Sequence, residues 1–334
     1  MDYALIWYAL IGLAVLIYVV LDGFDLGIGI LFLNANDDEE RDMMMNSIAP
    51  VWDGNETWLV LGGGGLFAVF PPLAYAVIMP ALYAPPLILM LLGLILRGGF
   101  FVSLPNTTRK VFWDSAFFIG SLTAALMQGI MLGTLLQGIE VSERAYAGGW
   151  FDWLSPFSVF CGLALVCAYI LLGSCWLLIK LPEELMGGRY YVVARRWGLA
   201  MVACIFIASL WLPLSQNIVF ERWFSLPNSL LFFILPIITA ALIWQLFKAL
   251  LDHKAVRAYV LAIGLFLVSA MGFGVSTFPY LVPFALTYQD VAAPDKSLAF
   301  LLAGAVVLLP LIIAYTAYSY WVFRGKMKRG EGYH

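Results

Sequence analysis

The sequence predicts an all-α integral membrane protein that crosses the bilayer about nine times. Two compositional facts and one pattern carry this expectation. Hydrophobic residues fill 63% of the 334 positions. Charged residues fill only 12%, about half the ~25% of soluble domains, so the chain has too little polar surface to clothe a globule in water. Apolar runs of about twenty residues recur from end to end, the length at which a helix rising 1.5 Å per residue crosses a ~30 Å hydrocarbon core.

The runs fall at 4–33, 54–75, 77–100, 112–138, 155–179, 197–219, 229–250, 256–282 and 297–323. The first is too long for a cleavable signal sequence and continues past the point where one would be cut. Pro71 and Pro72 interrupt the second and third, and a tight turn at Pro71–Tyr75 is expected there. Gly62–Gly65 lie within the second run, where small residues suit close helix packing. Pro279 and Pro283 end the eighth run, and Pro310 is placed to kink the ninth. No connection exceeds about twenty residues, which leaves no room for a separate soluble domain.

The charges test this count. With the N-terminus outside, cytoplasmic segments hold Arg41, Arg97, Arg109, Lys110, Lys180, Arg189, Arg195, Arg196, Lys248, Lys254, Arg257, Arg324, Lys326, Lys328 and Arg329. Outside segments hold Arg144, Arg222 and Lys296, so the split is 15 to 3 of the 18 basic residues. Such a bias is what the positive-inside rule demands, and one miscounted span would scramble it. Trp150, Trp153 and Trp223 in the outer loops suit an interfacial aromatic belt. The net charge of −3 says little about partners, and the absence of a basic tract argues against nucleic acid. No phosphate-binding GxxxxGK[ST] or dinucleotide GxGxxG pattern occurs.

Ionisable groups inside spans are expensive, so each is a functional candidate. Asp22 and Asp25 are three residues apart and project from similar faces of the first helix. Counted back from Leu33, Asp25 lies about 12 Å below the cytoplasmic end. Two carboxylates so placed repel when both are ionised, which suits groups that take up and release protons. The alternative is structural, with protonated acids hydrogen-bonded to a neighbouring helix. Gly23, Gly27 and Gly29 would let that neighbour approach closely. A second set, Asp53 and Glu56 with Trp52 and Asn55, stands where the chain re-enters the membrane from the cytoplasm. Asp53 is expected to cap this helix and the tryptophans to anchor it. Both sets lie toward the cytoplasmic side and together suggest a polar entrance. Arg97 is expected to snorkel to the interface, and Gln128 and Gln137 to hydrogen-bond between helices.

The four cysteines lie in apolar stretches with no CxxC pair and read as small packing residues. Only His253, in a cytoplasmic loop, and His334 are present. Neither is placed to ligate a haem inside a bundle. The twelve methionines read as packing residues, with a methionine ligand left open.

The pattern Asp22-Gly23-Phe24-Asp25-Leu26-Gly27, followed by Asn46-Ser47-Ile48-Ala49-Pro50-Val51-Trp52-Asp53-Gly54-Asn55, resembles subunit II of the cytochrome bd ubiquinol oxidases, a family that includes cyanide-insensitive types. Trp113-Asp114, Phe118-Ile119-Gly120-Ser121, Leu135-Leu136-Gln137-Gly138, Pro156-Phe157, Phe278-Pro279 and Tyr315-Thr316-Ala317-Tyr318-Ser319-Tyr320-Trp321 continue the resemblance in order along nearly the whole chain.

The resemblance implies two four-helix bundles, over 1–140 and 150–283, and a peripheral ninth helix with a basic tail over 296–334. It implies a haem-free subunit of a quinol:oxygen oxidoreductase in the bacterial inner membrane, with its N-terminus periplasmic and its C-terminus cytoplasmic. The partner implied is a subunit I carrying b-type and d-type haems, with membrane lipids, a bound quinone or lipid, and small single-span accessory subunits as further associates. It also implies a cytoplasmic proton pathway through the acids at Asp25 and Asp53. Asp22, Trp52, Asn55 and Glu56 are supporting candidates; Glu56 stands where some relatives carry glutamine. The competing reading is a proton-coupled transporter using the same buried carboxylates, which would require inverted repeats with broken helices in matching positions.

Overall fold

A computed structural model describes residues 1–102, 110–183 and 188–327. Arg109, Lys328 and Arg329, counted above, and His334 lie outside the described residues. The described chain is helical apart from two short antiparallel hairpins, Val141–Ser142 with Ala145–Tyr146 and Tyr280–Val282 with Leu286–Thr287.

Helix α1 (Tyr3–Leu31) starts where the Asp2 carboxylate accepts the Leu5 N–H at 2.9 Å, satisfying one of the unpaired donors of a helix N-terminus. Helix α2 (Asp38–Asn46) is short and polar. Asp37 caps it by accepting from the Glu40 N–H at 2.8 Å, and Asp38, Glu39 and Glu40 follow in the first turn, where the helix dipole favours anions. Helix α3 (Trp52–Val69) is joined at Phe70 to α4 (Pro71–Leu82) with a bend of 105°. Alpha-helix α5 (Ile88–Val102) follows a π-wound stretch, Tyr83–Leu87.

Six further long helices and two short ones follow among the described residues, with α6 at Lys110–Gln137 and α7 at Pro156–Lys180. Helix α8 covers Arg189–Ser215, and the short α9 (Asn217–Phe224) and α10 (Asn228–Phe232) lead into α11 (Ile234–Leu251). Helix α12 is Ala255–Thr277 and α13 is Asp295–Val322. A Ser155–Ser158 capping box and Pro156 in the first turn set the start of α7.

Among the described residues, seven helical segments are long and apolar enough to span a membrane, or eight when the bent α3–α4 pair counts as one span. A further apolar helix, Pro85–Phe101, is shorter. The turn expected at Pro71–Tyr75 is instead a break at Phe70, with those residues helical. Proline lacks an N–H, and the first helical turn has no intrahelical use for one. Pro71 and Pro72 therefore start a helix here and do not turn the chain.

The largest core runs through α1, α2, α5, α6, α7, α8, α11 and α12, joining Phe24, Ile28, Met44, Phe117, Tyr169, Leu172, Leu246 and Leu265. Helix α7 is its axis and the most buried long helix; α13 is the least. Where α1 crosses α7, Gly27 meets Gly173: a Cβ on Gly173 would lie 2.7 Å from the Gly27 carbonyl carbon. Gly93 and Gly120 let α5 and α6 approach in the same way, a Cβ on Gly93 falling 2.6 Å from the Gly120 oxygen. Helix α6 packs against both α1 and α5 and so brings their polar side chains onto the same side of the core.

Candidate functional site

Helix α1 carries Asp22 and Asp25 on its buried face, both fully enclosed. Opposite them α5 carries Arg97, which is also fully enclosed. Its Nη1 donates to Asp22 Oδ1 at 2.6 Å, and its Nη2 lies 3.7 Å from Asp25 Oδ2. Helix α3 supplies the third carboxylate, with Glu56 Oε1 3.4 Å from Arg97 Nη1. The expectation that Arg97 snorkels to the interface is thus overturned. A charged head without water is costly unless paired, and three carboxylates converge here to pair it.

Asn55, 1% exposed, organises the other side of Asp25. Its Nδ2 donates to Asp25 Oδ2 at 2.7 Å and to the Leu21 carbonyl at 3.2 Å. Its Oδ1 accepts from the Tyr320 hydroxyl of α13 at 2.9 Å. Trp52 stacks on Phe101 with centroids 4.6 Å apart, and its ring faces the Arg97 guanidinium at 5.9 Å. The electron-rich ring face suits the cation there.

Asp53 is placed differently. It is exposed, and its carboxylate makes no hydrogen bond or ion pair among the described residues. The α3 N-cap is Val51, with no side-chain cap bond, and Asp53 follows in the first turn. There it gains from the helix dipole without leaving water, so the capping role expected for it is not found. The structure therefore brings Asp22, Asp25, Asn55 and Glu56 together and leaves Asp53 outside the enclosed cluster.

The site has an identifiable open side. The Glu56 side chain is 26% exposed, whereas those of Asp22, Asp25 and Arg97 are wholly enclosed. Glu56 is the member that reaches the surroundings, one helical turn from exposed Asp53. Charge balance shows what the cluster can do. One guanidinium faces three carboxyl groups, so neutrality is reached when the three together hold two protons. A low-dielectric site enforces such a balance, because uncompensated buried charge costs several kcal/mol. Asp22 Oδ2, Asp25 Oδ1, Arg97 Nε and Arg97 Nη2 have no hydrogen-bond partner among the described residues. Buried polar atoms of this kind are the ones internal water usually satisfies.

Both glutamines bridge helices as expected. Gln128 sits between Tyr18 and Tyr169, and Gln137 Oε1 accepts from Ser155 Oγ at 2.5 Å. His253 lies in the turn between α11 and α12, stacked on Tyr191 with centroids 4.3 Å apart. Among the described residues no group of three His, Cys, Asp or Glu side chains could hold a metal ion.

Comparison with known proteins gives the cluster a context. Residues 3–323 match the family described as cytochrome bd terminal oxidase subunit II. The chain is 31% identical over 366 aligned positions to cytochrome bd-I ubiquinol oxidase subunit 2 of Escherichia coli (strain K12), covering 98% of this chain and 95% of that one. It is 29% identical to a probable cytochrome oxidase subunit 2 of Haemophilus influenzae, covering 96% and 94%. A solved bd oxidase structure from Geobacillus thermodenitrificans has the same fold, with a TM-score of 0.78 at 17% identity over 96% of this chain and 99% of that chain.

Proposed function

The chain belongs to the cytochrome bd terminal oxidase subunit II family, and from that premise we propose that it is the haem-free subunit of an oxygen-reducing quinol oxidase that feeds protons inward from the cytoplasm. As a member of that family it is a multi-pass membrane protein and part of an oxidoreductase complex with a partner subunit I. In this reading the b-type and d-type haems belong to the partner, which supplies the electron transfer and oxygen chemistry. This chain supplies apolar surface for assembly and a route for protons. The complex sits in the bacterial inner membrane, with the N-terminus of this chain periplasmic and its C-terminus cytoplasmic.

The observation that carries the proposal is Arg97, wholly enclosed and shared by three carboxylates of which only Glu56 reaches outward. A proton arriving near Asp53 passes to Glu56 and then to the Asp22–Asp25 pair. Arg97 keeps the cluster near neutrality as each proton enters and leaves. Asn55 holds Asp25 in place, and Trp52 covers the guanidinium. A group that must give up each proton it accepts works best with balanced neighbours, which this set provides. The 105° bend between α3 and α4 is the kind of broken helix a transporter uses. No matching break occurs in the second half among the described residues, so the transporter reading gains no support from it.

Asp25→Asn tests the proposal. In the purified complex, quinol-driven oxygen uptake is expected to fall at least about tenfold, while the reduced-minus-oxidised haem spectrum stays normal. Unchanged uptake would remove the proton role and leave a purely structural cluster.

A further inference from the structure

A second set of buried polar groups adjoins the cluster one helical turn toward the start of α1. Tyr18, 3% exposed, lies one helical turn before Asp22 on α1. Gln128 of α6 donates from Nε2 to the Tyr18 hydroxyl oxygen at 2.6 Å. Tyr169 of α7, fully enclosed, donates its hydroxyl to Gln128 Oε1 at 2.7 Å. Counting protons along this chain gives it a direction. The Tyr169 O–H is spent on Gln128, and the Gln128 N–H is spent on Tyr18. The Tyr18 hydroxyl proton is left without an acceptor among the described residues, and Asp22 Oδ2, on the same face one helical turn on, is left without a donor. Three helices thus aim one run of donors at a single carboxylate.

The far end is closed. Tyr169 lies against Gly23, where a Cβ would fall 2.6 Å from its ring, and it stacks on Phe266 with centroids 6.2 Å apart. An amide in the middle is also a poor conductor of protons, because passing one requires its unfavourable imidic-acid form. The chain can hold a carboxylate in place without draining protons from it.

We propose that Tyr18 and Gln128, with Tyr169 orienting the amide, are positioning residues that hold Asp22 against Arg97 and close the carboxylate cluster on its inner side. This rests on the proton-feed reading above. The titratable groups around Asp22 are Tyr18 and Asp25 from α1, Glu56 from α3 and Arg97 from α5. Tyr169 faces it from α7 and Tyr320 from α13. Of these, Tyr18 is the one the amide aligns.

The test uses the purified oxidase complex with Tyr18→Phe, Gln128→Met and the double variant, the two substitutions keeping volume while removing the polar groups. Each single variant is expected to slow oxygen uptake roughly tenfold, the scale of a lost hydrogen bond to a charged group, and to shift the pH profile of turnover. The double variant should be no slower than either single one, because both act through one chain. Haem content measured on each preparation separates slow turnover from failed assembly, and Tyr18→Phe, which removes a single oxygen, is the variant that must assemble. Wild-type rates and pH profiles in both single variants would overturn the inference, as would effects that multiply. If Asp25→Asn also leaves turnover unchanged, it is the proton-feed reading that has failed; if Asp25→Asn is slow and these variants are normal, only the positioning role falls.

Discussion

Arg97 and Asp53 show how far one residue's role depends on what stands across from it. An arginine near the end of an apolar run reads as a snorkelling side chain, and an acid beside Pro50 and Trp52 reads as part of a membrane entrance. In the structure Arg97 is wholly enclosed against Asp22, while Asp53 stays in water. Arg97→Met, which leaves three carboxyl groups without their cation, is expected to destabilise the protein by about 3–5 kcal/mol. A drop in the thermal midpoint of the detergent-solubilised complex would report it. Asp53→Asn should leave that midpoint unchanged, because the exposed carboxylate makes no contact that folding must preserve.

At the scale of the element, close helix crossings and one surface tether carry the argument. A Cβ at Gly27 would collide with the Tyr169 carbonyl, whereas one at Gly63 meets nothing within 4 Å. Gly27→Ala should therefore cost at least ~1–3 kcal/mol through overpacking. Gly63→Ala should be neutral or gain up to ~1 kcal/mol of helix propensity; midpoints measured side by side check the contrast. The second case is α2, tied to the start of α6 by Asp38, which lies 3.2 Å from Lys110 and 2.8 Å from Arg41. Hydrogen bonding and attraction from Lys110, with a smaller share from Arg41, hold the Asp38 carboxyl below the ordinary carboxylate range. A depressed value means the tether is fully present above the unfolded-state pKa and is lost as pH falls through the folded one. Hydrogen exchange over Asp38–Asn46, corrected for intrinsic rate, should accelerate below about pH 4. In Asp38→Asn that pH dependence should disappear.

For the molecule as a whole, the basic residues bear on orientation and the last helix on assembly. Removing Arg97 from the loop count leaves 14 basic residues against 3, so the charge argument for an outside N-terminus survives its correction. Single cysteines at exposed Glu143 and Arg196, in a background lacking the four native ones, should react with an impermeant thiol reagent from the periplasmic and the cytoplasmic side respectively. Labelling of both from one side would break the topology. The last long helix is held at its end. Lys180 donates to the Phe323 and Gly325 carbonyls, and the Met327 N–H returns a bond of 2.9 Å to the Lys180 carbonyl. Elsewhere α13 is the most exposed of the long helices.

Composition, run length and the one-sided basic residues were enough to establish a multi-pass helical membrane protein, because bilayer thickness and the cost of bare charge act on local sequence. The spacing of Asp22 and Asp25 was legible for the same reason: one helix carries both. Nothing local could show that Arg97 completes their site, since 75 residues separate it from Asp22 and only the packing of α6 against both helices brings α5 within reach. Nor could the sequence order Tyr18, Gln128 and Tyr169 into a chain, or exclude Asp53 from the cluster. Partners across a bundle, and the water each side chain keeps or loses, are settled only when the helices pack.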